Sequence, residues 1–456
     1  MNGMATTVNK PKIIKKYTLI VEIAAVLSVL LSYIINHAFV FVACAICVIF
    51  LLSNVEWEQR FSLFYFLFPF SWIFTFDDSH NINLFMFLRI AIIIAVIIYN
   101  RKLISTRFIS LLMFFTLYCL ATSGGSFDAS LKQLLNVILW FLIVFITNST
   151  IDSENVLPVS IGLSNGVIVS GIVAMNIDLI PNLEKSMRIN NILGVSGEIQ
   201  NRFTGLFSDP NIYTVLICAA LWAIYYEFSR GKLRLVEYSI RAIVTSLFGL
   251  MTMSKSCAII LILYWMYVIF SINNINLTYK VMVSLIIILF FIYYLLSNPE
   301  WYINMVNRLF GNGSNAEITI NDVTTGRYEI WGLYIDYFYH TNSWVFGNGL
   351  GALLPNGRAA HNTIIQIFYC TGLIGVIMYY KIIKFIYHVT PSGSIISGVN
   401  KIGIYALLFL IATLLFLDGL LLEIYYHMIS LIFIYMKSYS ANDSERLSDN
   451  DMLYVK

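Results

Sequence analysis

Apolar runs about 15–20 residues long follow one another along most of this chain, and that is the length a helix needs to cross a lipid bilayer. A water-soluble fold has no surface on which to place so many of them. The runs lack the period-two alternation of a membrane barrel. Charged residues make up only 12% of the 456 positions, against roughly 25% in soluble domains. The expected fold is an all-α, polytopic membrane helix bundle.

Fourteen candidate spans can be read, near 17–35, 38–53, 61–76, 84–99, 108–122, 133–147, 158–178, 209–228, 238–254, 256–271, 281–297, 361–380, 402–417 and 419–436. Residues 238–271 read as a hairpin or as one long tilted element. The division of 402–436 turns on a bare Asp418-Gly419. The expectation is therefore 12–14 spans in a single membrane domain over 1–436, followed by a polar tail at 437–456. No cleavable signal peptide is expected, because the first apolar run follows Lys10, Lys12, Lys15 and Lys16 without a convincing cleavage site.

The lysines and arginines orient this layout, since cytoplasmic segments carry the excess of positive charge. With both termini inside, the outside segments hold only Lys132, Lys185, Arg188, Arg202, Lys255, Arg308, Arg327 and Arg358. Arg89 falls within a span, about 8 Å deep at 1.5 Å per residue. Two long outside loops result, at 179–208 and 298–360, and loops of such length are uncommon without a function. The six cysteines lie in or beside apolar runs, so a disulfide framework is not expected. No internal repeat is visible.

The second loop contains Arg327, Trp331, Tyr334 and Phe338, which share one helical face by their spacing. Aromatic rings can stack on sugars, and guanidinium can grip phosphate bidentately. The same pattern also suits an interfacial helix with an aromatic belt. Beyond it, Phe346-Gly347-Asn348-Gly349-Leu350-Gly351 is a glycine-rich turn without the context of a nucleotide loop. Asp209-Pro210 reads as a helix start, with Asp as the cap. Lys255 interrupts an apolar stretch, and an intramembrane basic residue is a functional candidate that competes with snorkelling. Asp77, Asp78 and His80 form either a solvated turn or a divalent-metal site. There is no His-Glu-x-x-His, zinc-spaced cluster, Gly-x-Ser-x-Gly or phosphate loop. No cofactor is expected, and nothing points to nucleic acid. His361 opens a span directly after the long polar loop, with Asn362, Gly372 and Gly375 behind it. A histidine there is structural or catalytic, and its titration range suits base catalysis near neutral pH.

Taken in order, these pieces resemble the O-antigen polymerase and O-antigen ligase superfamily of bacterial envelope proteins. The resemblance covers roughly residues 200–380. Arg202-Phe203-Thr204-Gly205 with Asp209-Pro210-Asn211 resembles the segment before a central span. Leu250 to Ser256 resembles a Thr-x-Ser-Arg-Gly stretch, with Lys255 at the usual arginine and Ser256 at the usual glycine. Gly326-Arg327 to Gly351 resembles the start and glycine turn of the large outside loop, and His361-Asn362 with Gly372 and Gly375 fits the histidine motif.

The resemblance implies a metal-independent membrane glycosyltransferase, similar to those of the GT-C type, in the bacterial inner membrane. Its site would face the periplasm, so both long loops would be periplasmic. Its substrates would be undecaprenyl-diphosphate-linked oligosaccharides, with membrane lipids around it and a chain-length regulator as a further partner. A polymerase moves the growing glycan onto a lipid-linked repeat unit; a ligase moves it onto lipid A-core. A flippase for lipid-linked sugars is the expectation of another class. In the transferase reading His361 is the base, and Arg327 and Arg202 hold the diphosphate. Arg358 and Lys255 assist, and Trp331, Tyr334 and Phe338 are sugar-stacking candidates.

Overall fold

The computed structural model describes residues 10–75, 83–101, 105–123, 127–190, 203–207, 209–252, 254–271, 278, 327–341, 343–354, 357–391, 396–414 and 423–439. The fold is helical, as the apolar runs require. In chain order the helices are α1 Lys10–Ile34, α2 Phe39–Leu52, α3 Trp57–Leu67 with a 3-10 extension Phe68–Ile73, α4 Phe85–Tyr99, α5 Thr106–Ala121, α6 Phe127–Thr150 and α7 Leu157–Met175. They continue as α8 Pro181–Asn190, α9 Pro210–Ser229, α10 Leu235–Met251, α11 Lys255–Ser271, α12 Arg327–His340, α13 Ser343–Phe346, α14 Thr363–His388, α15 Lys401–Leu414 and α16 Glu423–Met436.

Among the described residues, five helical segments are long and apolar enough to cross a membrane: Tyr17–Ile34, Ser130–Thr150, Leu157–Met175, Pro210–Ser229 and Thr363–His388. Shorter apolar helices accompany them, including α2, α4, α5, α15 and α16. Large apolar side chains such as Ile49, Phe114, Leu117 and Ile240 point outward. A belt of this kind is covered by lipid rather than water. The chain is a helical membrane protein. The candidate span at 281–297 lies outside the described residues.

The doubtful 238–271 stretch is a hairpin. Its arms meet through Tyr238 and Tyr264, whose hydroxyls are 2.9 Å apart, and Trp265 Nε1 donates to Ser246 Oγ at 3.1 Å. Close packing elsewhere rests on small residues. In α7, Gly162 and Gly166 are one turn apart, and a Cβ on either would collide with the carbonyl of Ser62 or Phe66 in α3. This is the Gly-x-x-x-Gly contact that lets membrane helices approach backbone to backbone. Arg60 in α3 is buried; it donates to the carbonyls of Leu51 and Ser53 at 2.9 and 2.7 Å and so closes the end of α2.

One departure from the all-α expectation is a two-stranded clip. Strand β1 (Ile396–Val399) pairs antiparallel with β2 (Lys437–Tyr439). The expected tail therefore begins as structure. Lys437 is buried and donates to Asn148 Oδ1 at 3.1 Å and to the Val389 carbonyl at 2.6 Å. The clip ties the ends of α14 and α16 to α6.

Candidate functional site

His361 sits at the mouth of α14. Asn362 caps that helix, with its Oδ1 accepting from the amides of Ile364 and Ile365 at 3.0 and 3.2 Å. The cap fixes Asn362 in an extended conformation, and the chain must turn sharply just before it. His361 makes the turn with φ 48°, the only positive φ at a non-glycine among the described residues. Its side chain is exposed. A left-handed L-residue is strained and persists only where its surroundings hold it.

Two aromatic side chains hold it. Trp331 Nε1 donates to the Ala360 carbonyl at 3.0 Å, and the Tyr334 hydroxyl donates to the Arg358 carbonyl at 2.8 Å. Tyr334 is only 1% exposed, and its ring meets Tyr369 edge-on at 4.9 Å. Phe338 lies against Phe368 and Tyr369 at 6.3 and 6.1 Å. The aromatic face read from the spacing therefore exists, and it packs on α14. Trp331 and Tyr334 act on the backbone that leads into His361, and the Tyr334 ring is covered rather than open to a sugar.

Residues behind the histidine differ from the expectation of simple helix packing. Gly372 has φ 63° and ψ −177°, so α14 is two helices joined at a kink, 363–371 and 373–388. The break frees carbonyls at the end of the first segment. The glycine-rich turn supplies their donors: Asn348 N to Tyr369 O at 3.0 Å and Gly349 N to Cys370 O at 2.9 Å. The Tyr118 hydroxyl reaches Thr371 O at 2.9 Å and Phe346 O at 2.8 Å. A broken helix at membrane depth needs this kind of internal satisfaction. The Phe346–Gly351 turn is thus the partner of the Gly372 kink, and only a glycine avoids collision with the Val345 carbonyl there.

The structure brings His361, Arg358, Trp331, Tyr334 and Phe338 together. Arg358 is exposed, three residues before His361. Arg327 starts α12, about 6 Å along the axis from Trp331 at 1.5 Å per residue. Arg202, like Asp77, Asp78 and His80, lies outside the described residues. Lys255 is the first residue of α11, and its side chain is likewise outside them. The segment it opens belongs to a second group, built from other elements. There Ser254 Oγ donates to Asn211 Oδ1 at 2.8 Å, and Phe203 stacks on Phe248 at 5.8 Å. Asp209 caps α9, accepting from Asn211 N at 2.7 Å, as its place before Pro210 predicts.

Sequence reasoning missed a charged cluster. Arg89 is paired inside its span; both Arg89 Nε and its terminal nitrogen bind the Glu423 carboxylate, the first at 2.5 Å. His427 Nε2 lies 2.8 Å from the same carboxylate. The rings of Phe64 and Phe68 enclose the imidazole at 5.1 and 4.9 Å. Glu227 in α9 is also fully buried, with Ser160 Oγ donating to it at 3.3 Å. Charged side chains therefore lie inside the bundle as well as at its surface. The signal available was Glu423-x-x-x-His427, an acid and a histidine one turn apart inside an apolar run.

Comparison of the chain with family models, with curated proteins and with solved structures finds no match.

Proposed function

We propose that this protein is a membrane glycosyltransferase that polymerises a bacterial surface polysaccharide of the O-antigen kind. The observation that carries the proposal is His361, presented outward in a strained turn at the mouth of a membrane helix, with Arg358 three residues away. A base needs access and a held position, and an exposed histidine whose preceding backbone is tied by Trp331 and Tyr334 supports that role.

In this reading the donor is a glycan on undecaprenyl diphosphate, and the acceptor is a lipid-linked repeat unit at the periplasmic face. His361 removes the acceptor hydroxyl proton as the new glycosidic bond forms. The bond from the anomeric carbon to the diphosphate breaks, and the diphosphate leaves with that electron pair. Arg327, Arg358 and Arg202 hold its growing charge; Lys255, whose segment packs with other elements, would join them only where that second group meets the same diphosphate. These cations can provide the stabilisation without a metal ion. The bundle would be similar to GT-C glycosyltransferases, with both termini in the cytoplasm and the bacterial inner membrane as its location.

The ligase reading uses the same chemistry with lipid A-core as acceptor, and gene deletion separates the two. Loss of a polymerase leaves lipopolysaccharide with core plus one repeat. Loss of a ligase leaves bare core and accumulates lipid-linked polymer, and that outcome would replace the proposal. A flippase needs charges that line a cavity. The Arg89–Glu423–His427 cluster is instead an ion-paired group set against aromatic rings.

A further inference from the structure

Helix α12 divides its circumference into three sectors. With Arg327 as origin and ~100° per residue, Ile330, Trp331, Tyr334 and Phe338 fall between ~300° and ~40°, Ile335, Tyr328 and Tyr339 between ~80° and ~120°, and Asp336, Glu329 and His340 between ~180° and ~220°. The first sector is the one packed on α14 and the loop before it. The second is apolar and aromatic yet outward-facing, with Ile335 62% and Tyr339 86% exposed. The third is mainly polar, with Leu333, 39% exposed, at its far edge at ~240°; Asp336 and His340 pair at 3.4 Å with both side chains largely exposed. A helix bathed in water on its whole outer face has no reason to separate these two kinds of residue. One that lies along a membrane surface must separate them.

The level at which α12 is docked agrees. Its inward sector touches segment 363–371 of α14 and the residues just before it. From Thr363 to the exposed Lys381 is 18 residues, about 27 Å of helix, close to the ~30 Å hydrocarbon core. Thr363 is therefore at the edge of the span opposite Lys381, and α12, bonded to the Arg358 and Ala360 carbonyls just before it, lies at that edge. The neighbouring α13 adds exposed Trp344 and Phe346, the aromatic type that concentrates at headgroup level.

We infer that α12 is an interfacial helix, with Ile335 and Tyr339 seated in the lipid headgroup–acyl boundary and Asp336 and His340 facing water. The occupant of the apolar sector is the bilayer itself. This placement holds His361 at the height of a lipid headgroup. It goes beyond the transferase reading and does not depend on any chemistry at that histidine.

The test is nitroxide labelling of Tyr339→Cys and, separately, Asp336→Cys, in the full chain reconstituted into vesicles of phosphatidylethanolamine and phosphatidylglycerol. The native cysteines that the structure describes are all buried, so the label goes to the surface thiol. Collisions with oxygen, which concentrates in lipid, should exceed those with a water-soluble nickel chelate several-fold at 339. The order should reverse at 336. Nickel access at both sites would mean a solvated helix and would overturn the inference. Shielding of 339 from both quenchers would mean a protein cover, and would overturn it too. Ile335→Cys lies on the same arc and replaces Tyr339→Cys if that variant is not produced. Full polymer synthesis by His361→Ala would remove the transferase reading without changing any of these readouts.

Discussion

The single-residue question is how a histidine comes to occupy a left-handed turn. The conformation costs roughly 1–2 kcal/mol relative to a glycine, so it must be imposed. Two hydrogen bonds impose it, from Trp331 to Ala360 and from Tyr334 to Arg358. Trp331→Phe with Tyr334→Phe removes both donors and keeps an aromatic ring at each position. Loss of each bond should cost about 1 kcal/mol, confined to this turn. Hydrogen exchange should quicken at residues 358–362 and stay unchanged in 373–388. If His361 is the base, turnover should fall about tenfold or more from misplacement, with substrate affinity little altered. Unchanged exchange would show that the turn holds itself. These roles were only half legible in the sequence. Spacing identified the shared face, because helical periodicity is local. It could not say whether sugar or protein covers that face, because its partners Arg358, Ala360, Phe368 and Tyr369 lie 24 or more positions away.

At the scale of elements, packing is governed by glycines whose jobs differ. Gly162 and Gly166 admit α3 against α7, and Gly372 breaks α14. Gly166→Ala should destabilise the detergent-solubilised protein by about 1–3 kcal/mol, because its Cβ must displace backbone rather than a movable side chain. Gly332→Ala meets nothing within 4 Å and sits in a helix. That change should be neutral or stabilising by up to about 1 kcal/mol. Thermal unfolding of the two variants side by side checks the contrast, and equal midpoints would remove the close-approach account of α3 and α7. The apolar helices were legible, since an apolar run of that length encodes a membrane-type helix, whereas the polar helix α8 inside the expected 179–208 loop was not. The kink was not. A glycine in an apolar run looks the same whether it packs a straight helix or breaks one, and the deciding partner is the turn at Phe346–Gly351, about twenty residues earlier in the chain.

The whole molecule joins distant parts of the chain by charge as well as by packing. Arg89 and Glu423 are 334 residues apart in sequence, and no local pattern connects them. Their pairing fixes α4 to α16 and keeps a cation and an anion together in a low-dielectric bundle, where either alone would be costly. The β1–β2 clip secures the other end of α16. Between these anchors the bundle carries one exposed, strained histidine at the mouth of α14, which is the centre of the functional account. The most direct test is a His361→Gln variant, expressed in a strain lacking the native gene and matched for protein level in the membrane. Glutamine keeps polarity and size but cannot act as a base near neutral pH. If the polymerase proposal holds, this strain makes lipopolysaccharide that stops at core plus one repeat. A full-length ladder at normal rate would contradict it.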